Sequence, residues 1–94
     1  MRDTVFKAIA DPQRRKILKL LQSGSMSAGE IAAAFDITRA SLSYHFNILK
    51  EAELVRCERR AQEQVYSLNT SVFEDVATTL LDLFRRPIPR RRGA

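Results

Sequence analysis

The feature that most constrains this sequence is a pair of helical patterns in residues 27–55, separated by only three residues, 36–38. The first pattern opens with Ser27 and, three positions later, Glu30, a spacing that satisfies two unpaired N–H groups at a helix start. We therefore predict a helix over residues 28–35, followed after the short turn by a second helix. A turn of this length leaves the two helices packed against each other, which is helix-turn-helix geometry.

The second helix of this motif has two chemically different faces. It is predicted to start near Thr38, whose hydroxyl can accept the backbone N–H of Ser41. At about 100° per residue, Leu42, Phe46 and Leu49 share the face that would pack on the core. Hydroxyl, amide and guanidinium groups on the opposite face suit base edges and phosphates, so we predict DNA binding there, with an ordinary solvated face as the alternative. The residues of this face are Ala40, Ser43, Tyr44 and Asn47, with Arg39 and Lys50 at its margins.

The distribution of charge limits what the net charge of +5 can indicate. Five of the sixteen basic residues lie in the C-terminal tail, at Arg85, Arg86, Arg90, Arg91 and Arg92. All eleven acidic residues precede this tail, so residues 1–84 are neutral as a whole. DNA binding therefore has to be argued from local clusters of basic side chains rather than from the isoelectric point.

Length and composition limit the number of domains, the cellular location and the kinds of cysteine site. The 94 residues make one small domain, which often gains stability by forming oligomers. The sequence contains no apolar run of 18 residues and no signal-peptide pattern, so we expect a cytoplasmic protein without membrane insertion. Its single cysteine, Cys57, excludes an intrachain disulfide and multi-cysteine zinc sites. We expect this side chain to face inward as a small apolar group, with a redox-sensing thiol as the alternative.

Two helices are predicted before the central motif, over residues 1–10 and 12–22. Asp11 can cap the second of them, and Pro12 occupies its first helical position, where a missing N–H costs nothing. The first helix carries three apolar residues at helical spacing, Val5, Phe6 and Ile9. The second carries four basic residues, Arg14, Arg15, Lys16 and Lys19. We predict phosphate contacts for Arg14 and Arg15, with a merely solvated basic face as the alternative.

A β-hairpin is predicted after the motif. Residues 55–60 and 64–68 alternate and contain Val, Tyr and Leu, which indicates two strands joined through residues 61–63. A hairpin in this place forms a wing, and three arginines on it could reach a phosphate backbone or a minor groove. They are Arg56, Arg59 and Arg60. Glu63 near the tip of the hairpin opposes such a contact.

A final helix is predicted over residues 71–85, where Ser71 and Glu74 repeat the capping-box spacing. Its apolar surface is broad for a terminal helix, so we predict that it forms a dimer interface with the first helix. The predicted interface residues are Val5, Phe6, Ile9, Phe73, Val76, Leu80, Leu83 and Phe84. The alternative is that both helices close the core of the monomer. We expect one domain over residues 1–86 and a disordered basic tail over residues 87–94.

Three segments together resemble the ArsR family of winged helix-turn-helix repressors. They are residues 6–21, with the pattern DP-x-RR-x-IL, the whole of residues 27–55, and VYSLN at residues 65–69. Within that family the chain is most similar to the short, metal-independent SdpR-like members. The resemblance implies a mainly α fold with a small β-hairpin, in the order α-α-α-α-β-β-α. It also implies a symmetric dimer, with the first and last helices at the interface, that blocks transcription from a palindromic operator.

The resemblance also assigns roles to residues. Carried over by position, the major-groove contacts are Arg39, Ala40, Ser41, Ser43, Tyr44 and His45. For His45, a half-buried hydrogen-bonding role is the alternative to phosphate contact. The segments that hold metal ligands in metal-sensing members contain no thiol in residues 27–35 and no histidine in residues 74–83. We therefore expect no metal and no cofactor. The hairpin loop also lacks a glycine, which weakens the case for deep minor-groove insertion.

The sequence thus predicts a homodimeric, sequence-specific DNA-binding repressor that regulates its own promoter and is not an enzyme. Neither a phosphate-binding glycine loop nor a nucleophile with a base is recognisable. A protein-interaction module that uses the apolar last helix, with little specific DNA binding, is the alternative. No sequence feature identifies the signal that releases the protein from DNA. A protein partner that relieves repression is one candidate for that signal.

Overall fold

The computed structural model describes residues 3–85, and this part of the chain folds into five α-helices and a three-stranded sheet. The helices are α1 Asp3–Ile9, α2 Pro12–Leu20, α3 Ala28–Ala33, α4 Arg39–Glu51 and α5 Thr70–Phe84. The strands are β1 Met26–Ser27, β2 Val55–Arg60 and β3 Glu63–Leu68, and a 3-10 turn, Leu21–Ser23, extends α2. This order confirms the predicted winged helix-turn-helix fold. The predicted tail, residues 87–94, and the first two residues of the predicted first helix lie outside the described residues.

The sheet has one strand more than the predicted hairpin. β3 is central and pairs antiparallel with β2 along its whole length, from Val55 opposite Leu68 to Arg60 opposite Glu63. Its other edge pairs antiparallel with β1. A strand of two residues is too short to show the alternation by which strands are recognised in a sequence. β1 leads directly into α3, so the sheet is joined to the helix-turn-helix motif at that edge.

The helix starts follow the predicted caps except at α5. Asp11 Oδ1 accepts the backbone N–H of Gln13 at 2.7 Å, and Thr38 Oγ1 accepts that of Ser41 at 3.0 Å. The last helix begins at Thr70, one residue early, and its cap residue, Asn69, makes no side-chain capping bond. The predicted capping box at the start of α5 is therefore wrong. Just before this helix, the backbone N–H of Asn69 bonds the carbonyl of Leu54 at 2.9 Å.

The end of α4 directs the chain into the wing. Glu53 adopts a left-handed backbone conformation with φ +61°. The N–H of Leu54 then bonds the carbonyl of Leu49 at 3.0 Å, and the N–H of Glu53 bonds that of Lys50 at 2.9 Å. These two bonds form a Schellman motif, which ends a helix by satisfying its last carbonyls. The wing therefore leaves α4 in a fixed direction.

The core lies between the helices and one face of the sheet. Its largest fully buried side chains are Val5, Ile17, Ile31, Leu49 and Leu54. Phe46 of α4 stacks on Tyr66 of β3, with ring centroids 4.1 Å apart and an interplanar angle of 17°. This stack joins the second helix of the motif to the wing.

The capping box at the start of α3 gives a testable stability prediction. Ser27 Oγ accepts the N–H of Glu30 at 3.1 Å, and the Glu30 carboxylate accepts the N–H of Ser27 at 2.8 Å. We expect Ser27→Ala to lower the free energy of unfolding by about 1 kcal/mol, measured by urea denaturation, because it removes one of these bonds. Ser25→Ala, at an exposed position two residues earlier, is the control. Equal stability of the two variants would contradict a stabilising cap.

Candidate nucleic-acid interface

The predicted DNA-binding face of α4 is exposed along its whole length. We call it the polar face. It consists of Arg39, Ala40, Ser41, Ser43, Tyr44, Asn47 and Lys50, all of which are exposed. The opposite side of the same helix is buried through Leu42, Phe46 and Leu49. Tyr44 is the exposed large hydrophobic side chain of this helix, with 60% of its surface accessible. The helix is thus held by its apolar side and presents hydrogen-bonding groups on the other.

A cleft of about 430 Å³ separates α4 from the wing. Its apolar lining comes from Ala28, Leu42, Phe46 and Tyr66. Its polar lining comes from Arg39, Ser43, Gln62, Glu63 and Gln64, with Gly29 beside them. The sequence had suggested no role for the two glutamines, although they follow the arginine-bearing strand directly. Two residues of the polar face therefore share a concave surface with the tip of the wing.

The three wing arginines that were predicted to contact DNA do not form one cluster. Alternation along β2 puts Arg59 on one face of the strand, and Arg56 and Arg60 on the other. Arg60 bonds a single carboxylate oxygen of Glu58 through Nε, at 3.2 Å, and Nη2, at 3.0 Å. Arg56 Nη2 donates to Oδ1 of Asn69 at 3.4 Å. A phosphate would therefore compete with an internal partner for Arg56 and Arg60.

The tip of the wing is a two-residue turn formed by Ala61 and Gln62. Ala61 has φ +55°, a left-handed conformation that glycine adopts more easily. β3 begins at Glu63, one residue earlier than predicted, and Glu63 pairs with Arg60 across the hairpin. The acidic residue is thus part of the strand pairing and next to the cleft, rather than at the free end of the loop.

Arg14 does not lie on the surface, contrary to the predicted phosphate contact. Only 6% of its surface is exposed. Its Nε donates to the carbonyl of Ala8 at 2.7 Å and its Nη2 to that of Lys7 at 3.1 Å, so it caps the last turn of α1. Its Nη1 lies 3.1 Å from Nδ1 of His45. Each of the three guanidinium nitrogens thus has a partner inside the domain.

His45 is buried and hydrogen-bonded, which is the alternative to the predicted contact with DNA. It is 9% exposed and lies on the core side of α4, where it faces Arg14. The Tyr44 ring meets the imidazole edge-on, with centroids 5.6 Å apart. Arg15 remains exposed, but its Nη1 donates to the carbonyls of Ile9 at 2.9 Å and Ala10 at 3.1 Å. Of the two arginines on α2, only Arg15 is accessible to a phosphate.

The Asp11 carboxylate lies close to this buried pair. Partial burial disfavours its charge, but the backbone N–H groups of Gln13 and Arg14 and the positive charge of Arg14 outweigh that cost. The pKa of Asp11 is therefore lowered, with a smaller contribution from His45. Because the folded-state pKa is lowered, this group stabilises the fold at neutral pH and loses that effect as pH falls through its titration range.

Three polar side chains of the wing, those of Cys57, Gln64 and Tyr66, are hydrogen-bonded to one another beside the cleft. Gln64 Oε1 accepts hydrogen bonds from Cys57 Sγ at 3.1 Å and from the Tyr66 hydroxyl at 3.3 Å. Burial, followed by the proximity of Cys57, raises the pKa of Tyr66 to about 12. The phenol is therefore neutral and remains a donor at physiological pH. Cys57 is half-buried on the strand face that carries Val55, in the inward orientation predicted for it.

The predicted dimer-interface residues divide into three groups. Val5 and Val76 are buried in the monomer core and have little exposed area left to contribute to an interface. Phe6, Ile9, Phe73 and Leu80 are half-buried. Leu83 and Phe84 are 68% and 84% exposed. The apolar stripe of α5 thus begins in the core and continues past it into solvent.

Residues 3–85 contain neither a metal-binding cluster of side chains nor a helix that could span a membrane. No group of three or more His, Cys, Asp or Glu side chains is arranged there to hold a metal ion. None of the helices in this range combines the length and the apolar composition needed to cross a bilayer.

Known proteins with similar sequences are transcriptional regulators. Residues 9–58 match a helix-turn-helix domain family. The chain is 49% identical over 84 residues to the transcriptional repressor SdpR of Bacillus subtilis, an alignment that covers 89% of this chain and 93% of that protein. It is 32% identical over 80 residues to the arsenical resistance operon repressor of Staphylococcus xylosus, covering 85% of this chain and 76% of the relative.

Solved structures agree with these sequence relatives. An ArsR family transcriptional regulator superposes with a TM-score of 0.80 and 26% identity, covering 86% of this chain and 84% of the other. The homodimeric winged helix-turn-helix domain of Mb0332 from Mycobacterium bovis superposes with a TM-score of 0.71 and 26% identity, covering 89% and 81%. By fold and by sequence, the chain therefore belongs to the ArsR family of winged helix-turn-helix transcriptional repressors.

Proposed function

We propose that this protein represses transcription as a homodimer that binds a palindromic operator, including one at its own promoter. The observation that carries the proposal is the exposed polar face of α4, since the opposite side of that helix is fixed in the core. A helix held in this way can enter a major groove with its side chains already positioned. Acting on chromosomal DNA, the protein would work in the cytoplasm.

The contacts we propose fall into two classes. Ser43, Tyr44 and Asn47 would read base edges, because hydroxyl and amide groups match the donors and acceptors of the major groove. The basic side chains would bind phosphates and fix the register of the protein on the duplex. These are Arg39, Lys50, Arg15, Arg56, Arg59 and Arg60. Ala40 and Ser41 line the start of α4, where small side chains allow close approach to the backbone.

Homodimerisation is supported by the exposed end of α5. Phe73 and Leu80 are half-buried on the same stripe that carries the exposed Leu83 and Phe84. A second copy would cover this stripe and the neighbouring apolar side chains of α1, Phe6 and Ile9. A two-fold dimer would then present two copies of α4 to successive major grooves, which is why a palindromic operator is expected.

A second candidate function is that of a protein-interaction module. The same exposed Leu83 and Phe84 favour it, because they could bind a partner protein, including one that relieves repression. Sedimentation distinguishes the two candidates. A stable homodimer would occupy this surface already, whereas a monomer would leave it free for another protein.

Tyr44→Ala is expected to reduce discrimination between operator and random DNA. Loss of a base-edge contact costs about 1–3 kcal/mol, so the ratio of the two dissociation constants should fall by about 5- to 150-fold. Fluorescence anisotropy with labelled duplexes measures this ratio. Tyr44 is exposed, so the variant should keep the fold of the wild-type protein.

Arg59→Ala is the matched comparison for Tyr44→Ala. A lost phosphate contact weakens binding to both duplexes alike and lowers the dependence of log affinity on log salt by about one. If Tyr44→Ala also weakened both duplexes equally, the assignment of this residue to base reading would be wrong.

A further inference from the structure

The protein contains one histidine, and that residue links two parts of the proposed machinery. His45 belongs to α4, whereas Arg14, its partner, holds the carbonyls of Lys7 and Ala8 at the end of α1. Through Arg14, the orientation of the DNA-binding helix is fixed against a helix of the proposed dimer interface. Arg14 and His45 are both buried, so this link cannot be replaced by water without cost.

The link requires a neutral imidazole. An arginine side chain has only donors, so Nδ1 of His45 must be unprotonated to accept from Nη1 of Arg14, and the ring proton then belongs to Nε2. Protonation would turn both ring nitrogens into donors, remove the acceptor and bring two positive charges together at 3.1 Å. From the cap of α2, the Asp11 carboxylate also faces the pair and compensates part of this charge. On α4 itself, the neighbouring titratable residue is Tyr44, whose ring makes a T-shaped contact with the imidazole.

We propose that Arg14 and His45 are a positioning pair, which holds α4 in its DNA-binding orientation only while His45 is neutral. This inference rests on the proposed DNA-binding function. It predicts that affinity for DNA falls on acidification. A histidine that contacted phosphate would have the opposite effect, since its protonation would strengthen binding. The sign of the pH dependence therefore distinguishes the positioning role from a direct contact.

The test compares the wild-type protein with His45→Asn by anisotropy on one duplex, at about pH 8 and about pH 5.5 and at constant ionic strength. The asparagine side-chain oxygen can accept from Arg14 but does not titrate. We expect the wild-type protein to bind about tenfold more weakly at the lower pH, because protonation of His45 lowers the fraction of protein in the binding-competent state. His45→Asn should lose less than about twofold in affinity between the higher and the lower pH. Circular dichroism at the same pH values follows the helix content.

A second measurement uses the wild-type protein alone and does not depend on the folding of a variant. The single imidazole gives one assignable set of proton resonances. The pH at the midpoint of their chemical-shift change can be measured with and without DNA. The positioning role predicts a lower midpoint with DNA bound. The positioning role would be overturned by a higher midpoint with DNA bound, or by a DNA affinity that is unchanged or rises in acid. It would also be overturned if His45→Asn lost as much affinity in acid as the wild-type protein, or if affinity fell only where helix content fell too. Absence of saturable DNA binding by the wild-type protein at the higher pH would instead contradict the proposed function, and the positioning role with it.

Discussion

Phe46→Ala is expected to lower the free energy of unfolding by about 3–5 kcal/mol, a large part of the stability of a domain this small. Phe46 is buried and its ring stacks on Tyr66 at 4.1 Å, so truncation leaves a cavity and separates α4 from the wing. Urea denaturation followed by circular dichroism measures the change. The same cavity should make the wing mobile before the domain unfolds, because the stack joins β3 to α4.

Tyr44→Ala is the matched control for this change, since it removes an aromatic ring from the exposed side of the same helix. It is expected to alter the free energy of unfolding by no more than about 0.5 kcal/mol. Phe46→Leu should lie between the two variants, because it retains most of the buried apolar volume. A Phe46→Ala variant as stable as Tyr44→Ala would show that α4 is not held by its apolar side, and would remove the structural basis for assigning the polar face to DNA.

Leu83→Glu is expected to weaken homodimerisation by about 30-fold or more. A hot-spot contact in an interface is worth at least about 2 kcal/mol, and a carboxylate placed there would also lose its hydration. Leu83 is 68% exposed in the monomer, so the change should not disturb the domain core. Sedimentation velocity over a range of protein concentrations measures the effect. Binding to a two-half-site operator should weaken in parallel, because the dimer engages both half-sites together.

Thr78→Glu provides a control for the added charge. Thr78 is exposed on the same helix, more than 90° around it from the apolar stripe, so a second subunit would not cover it. This variant should dimerise like the wild-type protein. If Leu83→Glu also left the dimer intact, the apolar stripe of α5 would not be the interface, and its exposed end would be available to another partner.

Local chemistry made the helix-turn-helix motif predictable. Ser27 with Glu30, and Thr38 with Ser41, are pairs whose spacing alone satisfies the first N–H groups of a helix, and both pairs bond as predicted. The two faces of α4 could be assigned because the apolar residues recur with the period of the helix. Such features depend on neighbours within four residues, which a single sequence contains in full.

Arg14 could not be placed correctly because its environment is tertiary. In the sequence it is one of four basic residues on a short helix, and a surface role is the ordinary interpretation. One signal pointed the other way, namely that the end of α1 has no glycine cap and its last carbonyls need donors. The burial of Val5 and Val76 in the monomer core could not be predicted for a related reason. Periodicity identifies an apolar face but not whether the same chain or a second copy covers it.

The measurement that tests the central claim most directly is selection of duplexes from a randomised pool by the wild-type protein, followed by anisotropy titration at two salt concentrations. We predict enrichment of an inverted repeat that binds at least about 10³-fold more tightly than its scrambled counterpart. Affinity for both duplexes should fall as salt rises, because phosphate contacts release counterions. A pool that yields no enriched sequence, with equal and weak binding that disappears at the higher salt, would contradict a sequence-specific repressor.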